Sequence, residues 1–310
     1  MLDPQIRALL EQAREAGAPD FADLPPAVAR EMYSQILAAT DLPVPAEVAL
    51  SERTMAGPGG ELILRCYRPA KAEVRGAVLY LHGGGFVVGT PSDYDGVAGT
   101  IAALSGCLVV QVDYRLAPEH PFPAAVEDSY AALVWLREQA TELGIDPARI
   151  AIAGDSAGAN LSAVCALLAR DRGGPALALQ CLIYPATANG QVQYDSYRRF
   201  GAGYTLTSRA MSYFMGHYLT GSDAPADMRM APLSAPDLSG LPPALVQVAG
   251  YDPLRDEGIA YAEAMAAAGT SVTLVEYASL AHGYISMAGI SAGARLALEQ
   301  VATALLRAVA

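Results

Sequence analysis

Ile150-Ala151-Ile152-Ala153-Gly154-Asp155-Ser156-Ala157-Gly158 is an apolar run ending in Gly-x-Ser-x-Gly, and the residues from Ala159 to Arg170 read as a helix. The apolar run predicts a buried strand. Gly-x-Ser-x-Gly between a strand and a helix is the pattern of a nucleophile elbow, a strained turn that lifts a serine hydroxyl above a sheet. The turn is so tight that a Cβ at either glycine would meet neighbouring backbone. The motif alone is weak, because chance supplies it in about 0.15 of chains with this composition.

Context comes from upstream. His82-Gly83-Gly84-Gly85 follows the apolar run Ala77-Val78-Leu79-Tyr80-Leu81, and its chance frequency is about 0.003 per chain. A glycine turn after a strand exposes backbone N–H groups, which suit an oxyanion. The N–H of Ala157, just after the serine, adds another donor. Neither turn has the Gly-Lys-Ser/Thr ending or the Gly-x-Gly-x-x-Gly spacing that nucleotide phosphates need.

The bulk numbers agree with a large α/β domain. The chain has 310 residues, 53% of them hydrophobic, enough for one full core with a small appendage. A net charge of −12 disfavours nucleic acid and anionic bilayers as partners. Met1-Leu2-Asp3-Pro4 has no basic start and no long apolar region follows, so neither a targeting segment nor membrane insertion is expected and the default location is cytoplasmic. Cys66, Cys107, Cys165 and Cys181 lie among apolar neighbours without metal spacing. They are expected to be buried thiols, with no metal site.

Along the chain, Asp3-Pro4 starts a helix with Ile6, Leu9, Leu10 and Ala13 on one face. A second helix is expected over about Pro26–Ala39, with Val28, Met32, Ile36 and Leu37 apolar. From about residue 60 strands alternate with helices. The expected strands are Leu62–Tyr67, Ala77–Leu81, Leu108–Asp113, Ile150–Ala153, Leu179–Tyr184, Ala244–Ala249 and Val272–Tyr277. Helices are expected over Pro123–Leu143, Asp256–Ala268 and about Ala292–Ala308. This alternation implies a mainly parallel sheet covered on both faces. The interval from Pro185 to about Pro243 interrupts it, with one helix from the cap Thr207 to Leu219. An insertion of this kind in a compact α/β domain reads as a functional cover rather than a loose loop. The stripe Met211, Phe214, Met215, Tyr218 and Leu219 suits either a cover over a site or plain core packing.

A serine nucleophile needs a base and a group to orient it. Of the four histidines, His82 belongs to the glycine turn, His120 to a proline-rich loop and His217 to the inserted helix. His282 follows the last strand. A parallel sheet gathers all strand C-termini at one edge, so His282 can reach Ser156. Asp252 follows strand 244–249 and is the orienting acid. Asp256 and Glu257 read as first-turn acids of the next helix, which its dipole explains. Asp155 points away from the serine and reads as structural. The order Ser156, Asp252, His282 is that of α/β-hydrolases.

The chain resembles the hormone-sensitive-lipase-like (family IV) bacterial carboxylesterases. The matching segments are His82-Gly83-Gly84-Gly85-Phe86, Asp113-Tyr114-Arg115-Leu116-Ala117-Pro118-Glu119, Gly154-Asp155-Ser156-Ala157-Gly158, Asp252-Pro253-Leu254-Arg255-Asp256-Glu257-Gly258 and His282-Gly283. The resemblance implies an α/β-hydrolase fold, with residues 1–50 and 186–240 forming a helical cap over a catalytic domain of 51–185 and 241–310, and a Ser156–His282–Asp252 triad. It implies an oxyanion hole from the N–H groups of Gly84, Gly85 and Ala157, with Gly83 shaping the turn. Small-molecule esters of short to medium acyl chains would be the substrates, without a cofactor. Such proteins are often homodimers, and the Val272–Tyr277 strand is a candidate pairing edge. Phe86, Tyr204, Met211 and Phe214 are candidate liners of the acyl pocket. The same triad also serves lipases, amidases and acyltransferases, and the fold serves non-catalytic binding proteins.

Overall fold

Eight strands form one sheet in the computed structural model, which describes residues 1–70, 74, 76–188, 190, 192–220 and 227–309. In chain order they are β1 (Val48–Gly57), β2 (Gly60–Pro69), β3 (Ala77–Leu81), β4 (Leu108–Val112), β5 (Ile150–Asp155), β6 (Leu179–Ile183), β7 (Ala244–Tyr251) and β8 (Val272–Ala281). The helices are α1 (Pro4–Glu15), α2 (Pro26–Thr40), α3 (Asp95–Ser105), α4 (Ala124–Glu138), α5 (Ala140–Leu143), α6 (Ala157–Asp171), α7 (Asp195–Phe200), α8 (Ser208–Tyr218), α9 (Arg255–Ala267) and α10 (Ala292–Val309). The sheet order is β1-β2-β4-β3-β5-β6-β7-β8. β2 runs antiparallel to β1 and β4, and every other pair is parallel. This is the mostly parallel α/β architecture expected from the sequence, and β8 is a sheet edge.

Side-chain alternation on the central strands makes two cores. Val78 and Tyr80 of β3 pack with Val97 and Ile101 of α3 and Leu298 and Val301 of α10. Leu79 and Leu81 face the other way, toward Leu133 of α4 and Leu161 of α6. α9 joins α6 and β7 in a third cluster around Tyr261 and Met265. All four cysteines are buried free thiols, as expected. Among the described residues, no helix is long and apolar enough to cross a membrane.

Four elements differ from the sequence reading, the first being α7, a second helix in the interval 185–243 where one was expected. β1 was not foreseen, because only Val48 and Met55 of its ten residues are buried and no apolar alternation marks it. α3 was missed because Gly96 and Gly99 weaken its helical signal. The structure gives Gly96 a reason: a Cβ there would stand 1.9 Å from the Leu42 carbonyl oxygen, where the chain leaving α2 crosses α3. The buried side of α2 is Ala29, Leu37 and Thr40 with half-buried Tyr33, whereas Val28 and Ile36 face solvent. Of the expected stripe Leu37 is buried and Met32 half-buried, while Val28 and Ile36 turn outward because Tyr33 and Thr40 point inward to make hydrogen bonds. Thr40 donates to the Ser286 carbonyl at 2.8 Å, and Tyr33 meets Tyr94.

The two segments expected to form the cap meet each other. Thr207 caps α8, accepting from the Ala210 N–H, and donates to Asp20 Oδ2 at 2.6 Å. Arg209 pairs with Asp23. The rings of Phe21 and Phe214 lie 5.6 Å apart. Arg30 of α2 fastens this assembly to the core: its guanidinium donates to the carbonyls of Val87 and Ala117 at 2.8 and 3.0 Å and to both oxygens of Glu119. Of the interval 186–240, residues 189, 191 and 221–226 lie outside the described residues.

Candidate active site

Ser156 sits between β5 and α6 at φ 55° and ψ −117°, a backbone state that L-residues rarely adopt. Close packing of the turn enforces it. A Cβ on Gly158 would lie 1.9 Å from the Leu81 carbonyl oxygen, and one on Gly154 would lie 2.4 Å from the Gly158 oxygen. The Ser156 N–H is held by the Ile183 carbonyl at 2.9 Å.

The three residues singled out by position after strands come together. Ser156 Oγ is 2.9 Å from His282 Nε2, and His282 Nδ1 is 2.8 Å from Asp252 Oδ2. Asp252 is fully buried, and its Oδ1 accepts the Leu254 N–H at 2.8 Å. A register shift between β7 and β8 at Ala249/Tyr251 precedes Asp252, the kind of irregularity that re-aims a side chain at a strand end. His282 is held from the inserted interval as well, since the Thr205 hydroxyl donates to its carbonyl at 2.7 Å. The ring of Tyr184 lies 4.7 Å from the imidazole.

The glycine turn divides its donors. Gly83 N–H is committed to Asp155 Oδ1 at 2.9 Å. The N–H groups of Gly84, Gly85 and Ala157 have no acceptor among the described residues. Gly84 and Gly85 have φ of 112° and 60°. His82 braces the turn from below. It stacks on Tyr114 at 4.4 Å, and its Nδ1 donates to the Gly83 carbonyl at 2.7 Å. Burial pushes its pKa down to about 4, so it is neutral near pH 7.

Asp155 is structural, as expected from its position. Its buried carboxylate collects hydroxyls of Tyr80, Tyr94 and Tyr184 besides the Gly83 N–H. Asp256 and Glu257 do lie in the first turn of α9, but the helix dipole is only part of their reason. Asp256 Oδ2 accepts the Ser196 N–H at 2.9 Å. Buried Glu257 accepts from the Thr187 N–H at 2.5 Å and from the Tyr197 hydroxyl. Both carboxylates tie down the segment that enters the inserted region.

The candidate pocket liners divide. Phe214 lies directly over Gly85, since a Cβ built there would stand 2.4 Å from its ring. Phe86 stacks on Tyr218 at 3.9 Å and so packs between the glycine turn and α8. Tyr204 packs with Phe200 and Tyr251, and Met211 is half-buried on α8. Sequence reasoning passed over Tyr33, Thr205 and Phe21. None carries a motif, and each is recognisable only from its partner across the fold.

Burial pushes four carboxyls up: Asp155 to about 6, Asp41 and Glu257 to about 7, and Asp113 as well. A raised acid binds a proton in the folded state that the unfolded chain has already released. Its stabilisation is present at low pH and lost as pH rises through 6–7. His82 works in the opposite sense below about 6.5. Stability is therefore expected to be about 1–2 kcal/mol greater at pH 6.5 than at pH 8.5, raising Tm by about 1.5–3 °C. Calorimetry across that range checks it, and Glu257→Gln should flatten the slope.

A family model described as the alpha/beta hydrolase fold matches residues 78–286. The chain is 42% identical to the carboxylic ester hydrolase LipN of Mycobacterium tuberculosis, over 98% of this chain and 82% of that protein. It is 44% identical to the carboxylesterase NlhH of Mycobacterium tuberculosis, over 85% of this chain and 84% of that protein. The solved structure of a hyperthermophilic esterase from the archaeon Pyrobaculum calidifontis superposes with a TM-score of 0.93 at 40% identity, covering 100% of this chain and 99% of that one. The chain belongs to the α/β-hydrolase family, in its hormone-sensitive-lipase-like branch. Within that branch it is an enzyme of the carboxylic ester hydrolase class.

Proposed function

We propose that this enzyme hydrolyses short- to medium-chain acyl esters through a Ser156–His282–Asp252 triad and an acyl-enzyme on Ser156. The observation that carries the reading is the unbroken chain Ser156 Oγ, His282 Nε2, His282 Nδ1, Asp252 Oδ2, with contacts of 2.9 and 2.8 Å. His282 takes the hydroxyl proton as Ser156 Oγ attacks the ester carbonyl. The N–H groups of Gly84, Gly85 and Ala157 receive the developing oxyanion, each such donor being worth about 3–4 kcal/mol. His282 then hands its proton to the leaving alcohol. Water, deprotonated by His282, releases the acid and restores Ser156.

Phe214 supports the acyl range, because its ring lies over Gly85 and 5.6 Å from that of Phe21. A p-nitrophenyl ester series from acetate to palmitate tests the reading: kcat/KM peaks at short or medium chains, and emulsified long-chain substrate gives no rise. A maximum at palmitate would instead favour a lipase. In Phe214→Ala the octanoate-to-butyrate ratio of kcat/KM is expected to rise about tenfold, the scale set by a few methylenes of apolar pocket. An unchanged ratio would remove Phe214 from the acyl pocket.

A further inference from the structure

We propose that Tyr33 of the cap helix α2 is a positioning residue for the oxyanion loop, acting through Tyr94 and the Asp155 carboxylate on the Gly83 N–H. The inference rests on the reading of Ser156, Gly84 and Gly85 given above.

Asp155 directly precedes the serine but is turned beneath the glycine turn. Its Oδ1 accepts the Gly83 N–H at 2.9 Å and the Tyr80 hydroxyl at 3.0 Å. Its Oδ2 accepts the hydroxyls of Tyr94 and Tyr184, each at 3.3 Å. A carboxylate offers about four acceptor positions, so these four donors fill it. Gly83 is the only glycine of the turn whose N–H is drawn inward. That commitment anchors the turn ahead of the next two peptide units, whose N–H groups have no acceptor among the described residues.

The network reaches the cap by one further bond. Tyr94 donates to Asp155, so its oxygen is left to accept, and the Tyr33 hydroxyl stands 2.6 Å away. The order is Tyr33 O–H to Tyr94, Tyr94 O–H to Asp155, and Gly83 N–H to Asp155. Hydroxyls in series polarise one another, and the Tyr33–Tyr94 link is the tighter of the two, 2.6 Å against 3.3 Å. Tyr33 lies on the buried side of α2, the same helix that Arg30 fastens to Val87 just past the glycine turn. A shift of α2 therefore pulls on the loop at two points. Displacements of about 1 Å at a reacting centre can cost about 100-fold in rate.

The test uses the intact enzyme and a soluble butyrate ester. Tyr33→Phe and Tyr94→Phe keep ring and packing and delete one hydroxyl each. Tyr33→Phe is expected to lower kcat about 3- to 10-fold with KM unchanged, and Tyr94→Phe at least as much. Because Tyr33 acts through Tyr94, the double variant should lose no more than Tyr94→Phe alone. The Ki of an alkyl boronic acid, which forms a tetrahedral adduct with the serine, should rise by the same factor as kcat falls. Tyr261→Phe, whose buried hydroxyl has no partner among the described residues, serves as a control and should match wild type. Wild-type kcat in Tyr33→Phe, a rise in KM alone, or additive losses in the double variant would each overturn the inference. An active wild type that Ser156→Ala fails to silence would instead overturn the triad reading.

Discussion

Ser156→Ala is expected to lower kcat for a butyrate ester by about 10⁴- to 10⁶-fold while the protein remains folded. The fold should survive because the hydroxyl does not hold the elbow. The turn is held by the Ser156 N–H bond to the Ile183 carbonyl and by the contacts of Gly154 and Gly158 with neighbouring backbone. Alanine accepts the same φ of 55° at a steric cost close to that of serine. What disappears is the Oγ that faces His282 Nε2 at 2.9 Å, and with it the acyl-enzyme route. Residual turnover above the uncatalysed rate should remain, because the oxyanion donors and the binding surface are untouched. Two measurements decide it: kcat on the same ester, and the mass of each protein after exposure to a p-nitrophenyl alkylphosphonate, which loses p-nitrophenol as the serine oxygen bonds to phosphorus. Wild type should gain the phosphonyl group and the variant should not. A variant within tenfold of wild type would move the nucleophile elsewhere.

The sequence carried the site further than it carried the frame around it. Residues that follow strands of a parallel sheet converge whatever lies between them, so Ser156, Asp252 and His282 could be placed together by topology alone. The glycines of the elbow were legible for the same reason: a steric demand leaves a mark in the residue type. β1 left no such mark, because an edge strand with two buried residues needs no apolar alternation. On α2 half of the legible stripe, Val28 and Ile36, pointed outward. Its inward side is built from Ala29, Tyr33, Leu37 and Thr40, and two of these are there to make hydrogen bonds. Asp155 was correctly set apart from the chemistry, but its four donors come from β3, the glycine turn, the start of α3 and the end of β6. No local pattern encodes such a meeting. Periodicity finds faces and motifs find turns, whereas polar networks that cross between elements become visible only when the elements are assembled.

Asp252→Asn is expected to cut kcat by about 10⁴-fold with little change in Tm, a loss arising from proton placement rather than from packing. Both oxygens of Asp252 are in use, Oδ2 by His282 Nδ1 and Oδ1 by the Leu254 N–H. Asparagine keeps the shape but has one oxygen and one NH2. The Leu254 N–H is a fixed donor, and orphaning it in this fully buried position costs about 1–3 kcal/mol. The amide therefore turns its oxygen to Leu254 and its NH2 to the imidazole. Facing a donor, Nδ1 must give up its proton, and the neutral ring then carries it on Nε2. Nε2 is the atom that has to accept from Ser156, so the base is present, correctly oriented and in the wrong tautomer. Asp252→Ala imposes no tautomer, so it should be no slower than the asparagine variant despite losing every contact. Comparing kcat for the two variants, with Tm measured alongside, separates proton placement from simple support. An asparagine variant that kept a tenth of wild-type activity would show that Asp252 does not set the state of His282.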